Sequence, residues 1–92
     1  MRKNREHSEI IYDILISIRE KEGIIKPTHI LYKSNLSQQM MEEYLNELIQ
    51  NGLIIQKKLE RYKTYILTEK GNSYIEKYKF IRDFMDSYGL NK

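Results

Sequence analysis

Four cations fall within residues 57–63: Lys57, Lys58, Arg61 and Lys63, against one acid, Glu60. Tyr62 lies among them and Tyr65 just beyond. Such a cluster suits phosphate oxygens, which give affinity without reading sequence. On an exposed strand edge the same charges also serve solubility and block edge pairing. Upstream, Gln39, Glu43 and Asn46 offer a different chemistry. An amide can bond adenine through two atoms at once, and a carboxylate can accept from the amino group of cytosine. Residues 37–51 carry three acids, Glu42, Glu43 and Glu47, and no Lys or Arg. A carboxylate there that meets no base donor is repelled by nearby phosphate. Arg2, Lys3 and Arg5 form a third basic cluster, of a kind that reaches a neighbouring groove or remains a solvated terminus.

Catalysis has little to work with. His7 and His29 are not spaced as a ligand pair on one helix, and neither cysteine nor a carboxylate cluster joins them. There is no glycine-rich phosphate loop and no G-x-S-x-G motif. The four glycines are each expected at a helix end. The sequence thus predicts no enzyme, no metal and no cofactor.

Several elements must position these groups. Ile10, Ile11, Ile14, Leu15 and Ile18 mark one face of a helix over 5–21, stopped by Gly23. Ile24, Ile25 and Lys26 read as a short extended strand before Pro27. Thr28 is placed to cap a short helix burying Ile30 and Leu31. Asn35-Leu36-Ser37 then reads as a turn, a core plug and the cap of a third helix, 37–51, which buries Met41, Tyr44, Leu45 and Leu48. A step of about 100° per residue puts Gln39, Glu43, Asn46, Glu47 and Gln50 on its far side. After Asn51-Gly52, residues 53–58 and 63–68 make a hairpin around the tip 59–62. Thr68 caps a last helix running to about Tyr88, with Gly89 as its stop. The expected fold is mainly α with a small β-hairpin (α+β), in the order of a winged helix-turn-helix.

The last helix carries Tyr74, Tyr78, Ile81, Met85 and Tyr88 at spacings of 4, 3, 4 and 3, an a/d seam, and Phe80 and Phe84 widen it. This predicts a short dimerising coiled coil through Tyr74, Tyr78, Ile81, Phe84, Met85 and Tyr88. The competing reading is that the helix folds back on Tyr12 and Ile16 of the first helix, and both arrangements are compatible. We expect a winged domain over 1–70 and a dimerisation helix over 71–92 in the same compact unit.

Ninety-two residues support one core, and 40% hydrophobic with 32% charged residues is a globular composition. No apolar run approaches the roughly 20 residues of a membrane span. The basic N-terminus leads into an amphipathic segment, unlike a signal peptide. Absent cysteines fit a reducing interior, so a cytoplasmic location is expected. The net charge of +3 matters less than its distribution.

Residues 28–37, Thr-His-Ile-Leu-Tyr-Lys-Ser-Asn-Leu-Ser, begin a distinctive series. Tyr44-Leu45 with Leu48, Asn51-Gly52-Leu53-Ile54-Ile55, Tyr65-x-Leu67-Thr68 and Lys70-Gly71 follow in order. From about residue 9 to 80 this resembles the archaeal winged-helix family typified by the small basic 10a-type DNA-binding proteins. The resemblance implies a winged helix that binds double-stranded DNA and dimerises through an antiparallel coiled coil of its last helices. It places Ser37, Gln38 and Gln39 at the opening of the recognition helix, Lys57 to Lys63 in the wing and Tyr74 to Tyr88 in the rod. Glu42 departs from the small or basic residues usual there, Pro27 stands where a basic residue is common, and the last helix is shorter. The first two departures shift the expectation from indiscriminate to selective binding, and the third implies a short rod.

The expected function is a homodimeric double-stranded DNA-binding transcription regulator. Helix 37–51 would lie in the major groove and the basic wing 57–63 on phosphates, with no membrane or small-molecule ligand evident. The alternative is a protein-interaction winged helix that turns its acidic third helix to a basic partner.

Overall fold

The computed structural model describes residues 7–21 and 25–90. Arg2, Lys3, Arg5, Gly23 and Ile24, on which expectations above rest, lie outside them. The elements are α1 (His7–Lys21), α2 (Pro27–Ser34), α3 (Gln38–Gln50), β1 (Ile54–Lys58), β2 (Lys63–Leu67) and α4 (Glu69–Ser87).

All five apolar positions of the α1 stripe are buried. Ser17, buried beside them, donates its hydroxyl to the Ile14 carbonyl at 2.7 Å, so the core holds no orphan there. α2 starts one residue earlier than its expected cap. Lys26 occupies the cap position with no side-chain bond, and Thr28 lies inside the helix. Pro27 explains the shift, since its fixed φ and missing N–H suit the first helical position. Nor is there a strand at Ile25–Lys26. Lys26 is extended, but the described sheet has two strands only. Pro27 has no N–H to continue a ladder, and Ile25 is instead a fully buried plug.

Asn35 ends α2 in the left-handed conformation (φ 56°), its N–H bonded to the Leu31 carbonyl at 2.9 Å. Leu36 packs on the core, and the Ser37 hydroxyl accepts from Met40 N at 3.2 Å to cap α3. α3 stops at Asn51 and Gly52, the latter at φ 78°. β1 and β2 then pair antiparallel from Ile54 opposite Leu67 to Lys58 opposite Lys63.

Met41, Leu45 and Leu48 of α3 meet α1, Ile30 of α2, Ile54 and Tyr65 of the hairpin and Ile75 of α4 in one core. Leu31 and Tyr44 only pack partly against it. Gly71 is at the start of a helix, not past the end of one. It lies in the first turn of α4, where any Cβ would collide with the Leu53 carbonyl. The missing side chain lets α4 close on the chain that enters the hairpin.

Candidate nucleic-acid interface

With Met41, Leu45 and Leu48 turned inward, α3 exposes Gln38, Gln39, Glu42, Glu43, Asn46 and Gln50. Gln38 Nε2 donates to Glu42 Oε2 at 3.1 Å, and Gln39 Nε2 to Glu43 Oε2 at 3.3 Å. The outer face of the first two turns thus carries two amide–carboxylate pairs, with Met40 exposed beside them. Glu47 departs from the expected outward set. It is half-buried, 3.0 Å from His7 Nε2, while His7 Nδ1 lies 3.2 Å from the Tyr44 hydroxyl. In the neutral ring, Nε2–H donates to Glu47 and Nδ1 accepts from Tyr44. The start of α1 thus lies along the flank of α3. His7 had no partner in the sequence because the contact spans 40 residues.

The hairpin presents Lys57, Lys58, Arg61 and Lys63 to solvent. Its tip is closed by Leu59 N donating to the Tyr62 carbonyl at 2.8 Å. Register sets Lys58 directly opposite Lys63, an unfavourable like-charge pair. Among the described residues no carboxylate lies within ion-pair distance of any of the four cations. Sequence reasoning missed one more cation here. Lys26 Nζ lies 5.2 Å above the Tyr62 ring, joining the start of α2 to the hairpin tip. Lys26 also lines an open basic corner with Lys21, Thr28 and His29.

Between α3 and the hairpin runs a cleft of about 300 Å³, lined by Gln38, Glu42 and Asn46 on one side and Gln56, Lys63 and Tyr65 on the other. Burial, with Glu42 nearby, pushes the Tyr65 hydroxyl above its ordinary pKa, so it stays a neutral donor. Gln38 and Asn46 of α3 therefore share one rim with Lys63 of the hairpin.

α4 divides into two halves. Ile75 is fully buried, and Tyr74 donates its hydroxyl to the Ser8 carbonyl at 2.9 Å. Tyr78 stacks on Tyr74 and meets Tyr12 at 4.8 Å, and Arg82 covers the other part of the Tyr12 ring at 5.0 Å. So Tyr74 and Tyr78, expected in a dimer seam, also hold α4 to α1 within the chain. Beyond them no other described element covers the apolar face: Phe80 is 71% exposed, Ile81 58%, Phe84 52% and Tyr88 66%, with Met85 beside them. An apolar groove lined by Leu53, Tyr74, Tyr78 and Ile81 runs into this face. No described helix is long and apolar enough to cross a membrane. Among the described residues no three His, Cys, Asp or Glu side chains gather as metal ligands.

A winged helix-turn-helix family model matches residues 4–86. The chain is similar to Sso10a-2, a DNA-binding protein from Sulfolobus solfataricus, at 27% identity and a TM-score of 0.75, over 92% of this chain and 90% of that one. A MarR-family transcriptional regulator from a Rhodococcus species aligns at 20% identity and a TM-score of 0.69, over 76% of this chain and 51% of that one. A mutant of MepR from Staphylococcus aureus, bound to an oligodeoxyribonucleotide, aligns at 17% identity and 0.73, over 90% and 63%. At those identities the two regulators show the fold alone, and the chain spans about half to two thirds of their length. No curated protein sequence matches.

Proposed function

Because this chain belongs to the winged helix-turn-helix family, we propose that it is a dimeric double-stranded DNA-binding protein that regulates transcription. α3 enters the major groove, and Lys57, Lys58, Arg61 and Lys63 hold phosphates. The observation that carries this reading is the wing. Register forces Lys58 and Lys63 together with no described carboxylate to relieve them, and a phosphate on that edge would do so. Similarity to a Sulfolobus DNA-binding protein over nearly the whole of both chains supports it further. Ser37 spends its hydroxyl on the cap, so it sets the angle of α3, while Gln38, Gln39, Glu43 and Asn46 face the bases.

The test is duplex binding across a salt series, for the natural chain and for one with the four wing cations changed to Ala. Affinity is expected to fall steeply with salt. In the variant the slope should shallow by about 0.9 for each phosphate that the wing no longer neutralises. Absence of duplex binding at low salt, or identical slopes, would remove the proposal.

One observation favours a second reading, a protein-binding α3. Its exposed face carries Glu42 and Glu43 and no cation. Changing both to Lys discriminates the two. A gain in duplex affinity means a helix that faces phosphates, and unchanged affinity with loss of a protein partner means the second reading.

A further inference from the structure

The cleft between α3 and the hairpin holds a polar group that the fold itself leaves unused. Tyr65 is only 4% exposed and belongs to the core, yet its hydroxyl has no hydrogen-bond partner among the described residues. A phenol buried to that degree ordinarily finds one. The oxygen is not sealed from solvent, so it opens on the cleft of about 300 Å³ that Tyr65 lines. The walls of that cleft carry one carboxylate, Glu42 of α3, and one ammonium, Lys63 of the hairpin. Neither forms an ion pair with any described residue, so opposite charges line opposite walls without neutralising each other. Pro27, Met41 and Leu45 add an apolar part to the lining.

These groups select among occupants by charge. A phosphate or a simple acid gains Lys63 and the Tyr65 donor but is repelled by Glu42. A simple amine gains Glu42 and is repelled by Lys63. A molecule that carries both charges satisfies all three groups. The volume lies at the lower end of ligand clefts, which limits the occupant to a small metabolite. We propose that this cleft binds a zwitterion of the α-amino acid class, with its ammonium on Glu42 and its carboxylate on Lys63 and the Tyr65 hydroxyl. The site also borders the surface assigned to DNA: Lys63 belongs to the wing, and Gln38 and Asn46 to the outer face of α3. Resting on the DNA-binding reading above, occupancy withdraws Lys63 from phosphate and sets a ligand between the two elements that grip the duplex. Ligand and duplex therefore weaken each other by the same factor.

The experiment screens the standard L-amino acids against the full chain by thermal midpoint, then titrates the strongest by calorimetry, with no DNA present. Its decarboxylated amine and its deaminated acid are titrated beside it. The amino acid should bind, and each analogue that lacks one charge should bind at least roughly ten-fold more weakly, whether or not any variant folds. Tyr65→Phe removes a hydroxyl that has no partner within the described chain, so the thermal midpoint should hold while ligand affinity falls roughly ten-fold. Glu42→Gln should lose the preference for the zwitterion over its acid. Duplex affinity at low salt should fall when the amino acid is added. Failure of every amino acid to bind, equal binding of the amine or the acid, or unchanged affinity in Tyr65→Phe overturns the site and leaves DNA binding standing. Ligand binding with no change in duplex affinity overturns the coupling. Absence of duplex binding at low salt removes the coupling together with the DNA-binding reading, while the titrations without DNA still decide the site.

Discussion

At the residue scale, Tyr74 is the side chain whose two roles can be separated. Its hydroxyl donates to Ser8, and its ring stacks on Tyr78 against α1. Burial first, then the neighbouring Tyr78, raises its pKa above 10.0, and burial raises that of Tyr78 as well. A raised folded-state value means that the native chain keeps protons the unfolded chain releases. Stability from this source is whole below pH 10 and is lost as pH rises through the folded values. Tyr74→Phe should therefore cost about 1 kcal/mol near neutrality through the lost hydrogen bond. It should also flatten the fall of stability above pH 10. Urea titrations at neutral and alkaline pH check both, and an unaltered alkaline slope would mean Tyr74 does not hold its proton. His7 belongs to the same scale. It joins α1 to Tyr44 and Glu47 of α3, an exposed link that fixes orientation more than it adds stability.

At the element scale, the end of α3 is latched to the start of α4. Thr68 accepts from Gly71 N at 3.1 Å as cap and donates to the Gly52 carbonyl at 2.6 Å. Lys70 Nζ reaches the Asn51 carbonyl at 2.8 Å, and Thr68 N bonds Leu53 O at 3.1 Å. Gly71 allows this closeness, and Gly71→Ala sets two effects against each other. Helix propensity would gain about 1 kcal/mol, but the new methyl would overlap a backbone carbonyl held in place by Thr68. Backbone cannot yield as a side-chain tip does, so the clash prevails. We expect net destabilisation of about 1–3 kcal/mol, read as a lower thermal midpoint. A stabilised variant would show that α4 slides freely on the hairpin root.

At the scale of the whole molecule, the extents of 48 × 28 × 21 Å reflect α4 running past the core. Phe80, Ile81, Phe84, Met85 and Tyr88 lie on that projecting half as a run of exposed apolar side chains, the kind of patch that marks an interaction site when it is contiguous. If a second copy covers it, Ile81→Asp with Phe84→Asp should convert dimer to monomer by light scattering while leaving circular dichroism unchanged, since neither side chain is buried in the core. Duplex affinity should fall together with the dimer. A natural chain that is monomeric at every concentration tested would remove the dimer from the proposed function.

The sequence by itself determined the elements. Ile10 to Ile18 at helix spacing, the Asn35 turn, the Ser37 cap, the hairpin about residues 59–62 and the Thr68 cap are local signals, each set by residues within a turn of one another, and each is present in the structure. Where a nearby proline competed, local reading failed: Pro27 took the first helical position from Thr28 and left Ile25 a plug with no strand. The basic cluster at 57–63 was equally legible as charge, although its meaning was not. The expected hairpin already set Lys58 opposite Lys63, but only tertiary structure decided that Lys26 covers Tyr62, that His7 meets Glu47, and that Gly71 admits the Leu53 carbonyl. It also divided the aromatic seam of α4 into a half that serves α1 and a half left bare. These pairings join positions far apart in the chain, 40 residues for His7 and Glu47, and no helical or strand period encodes which distant surface a side chain will meet.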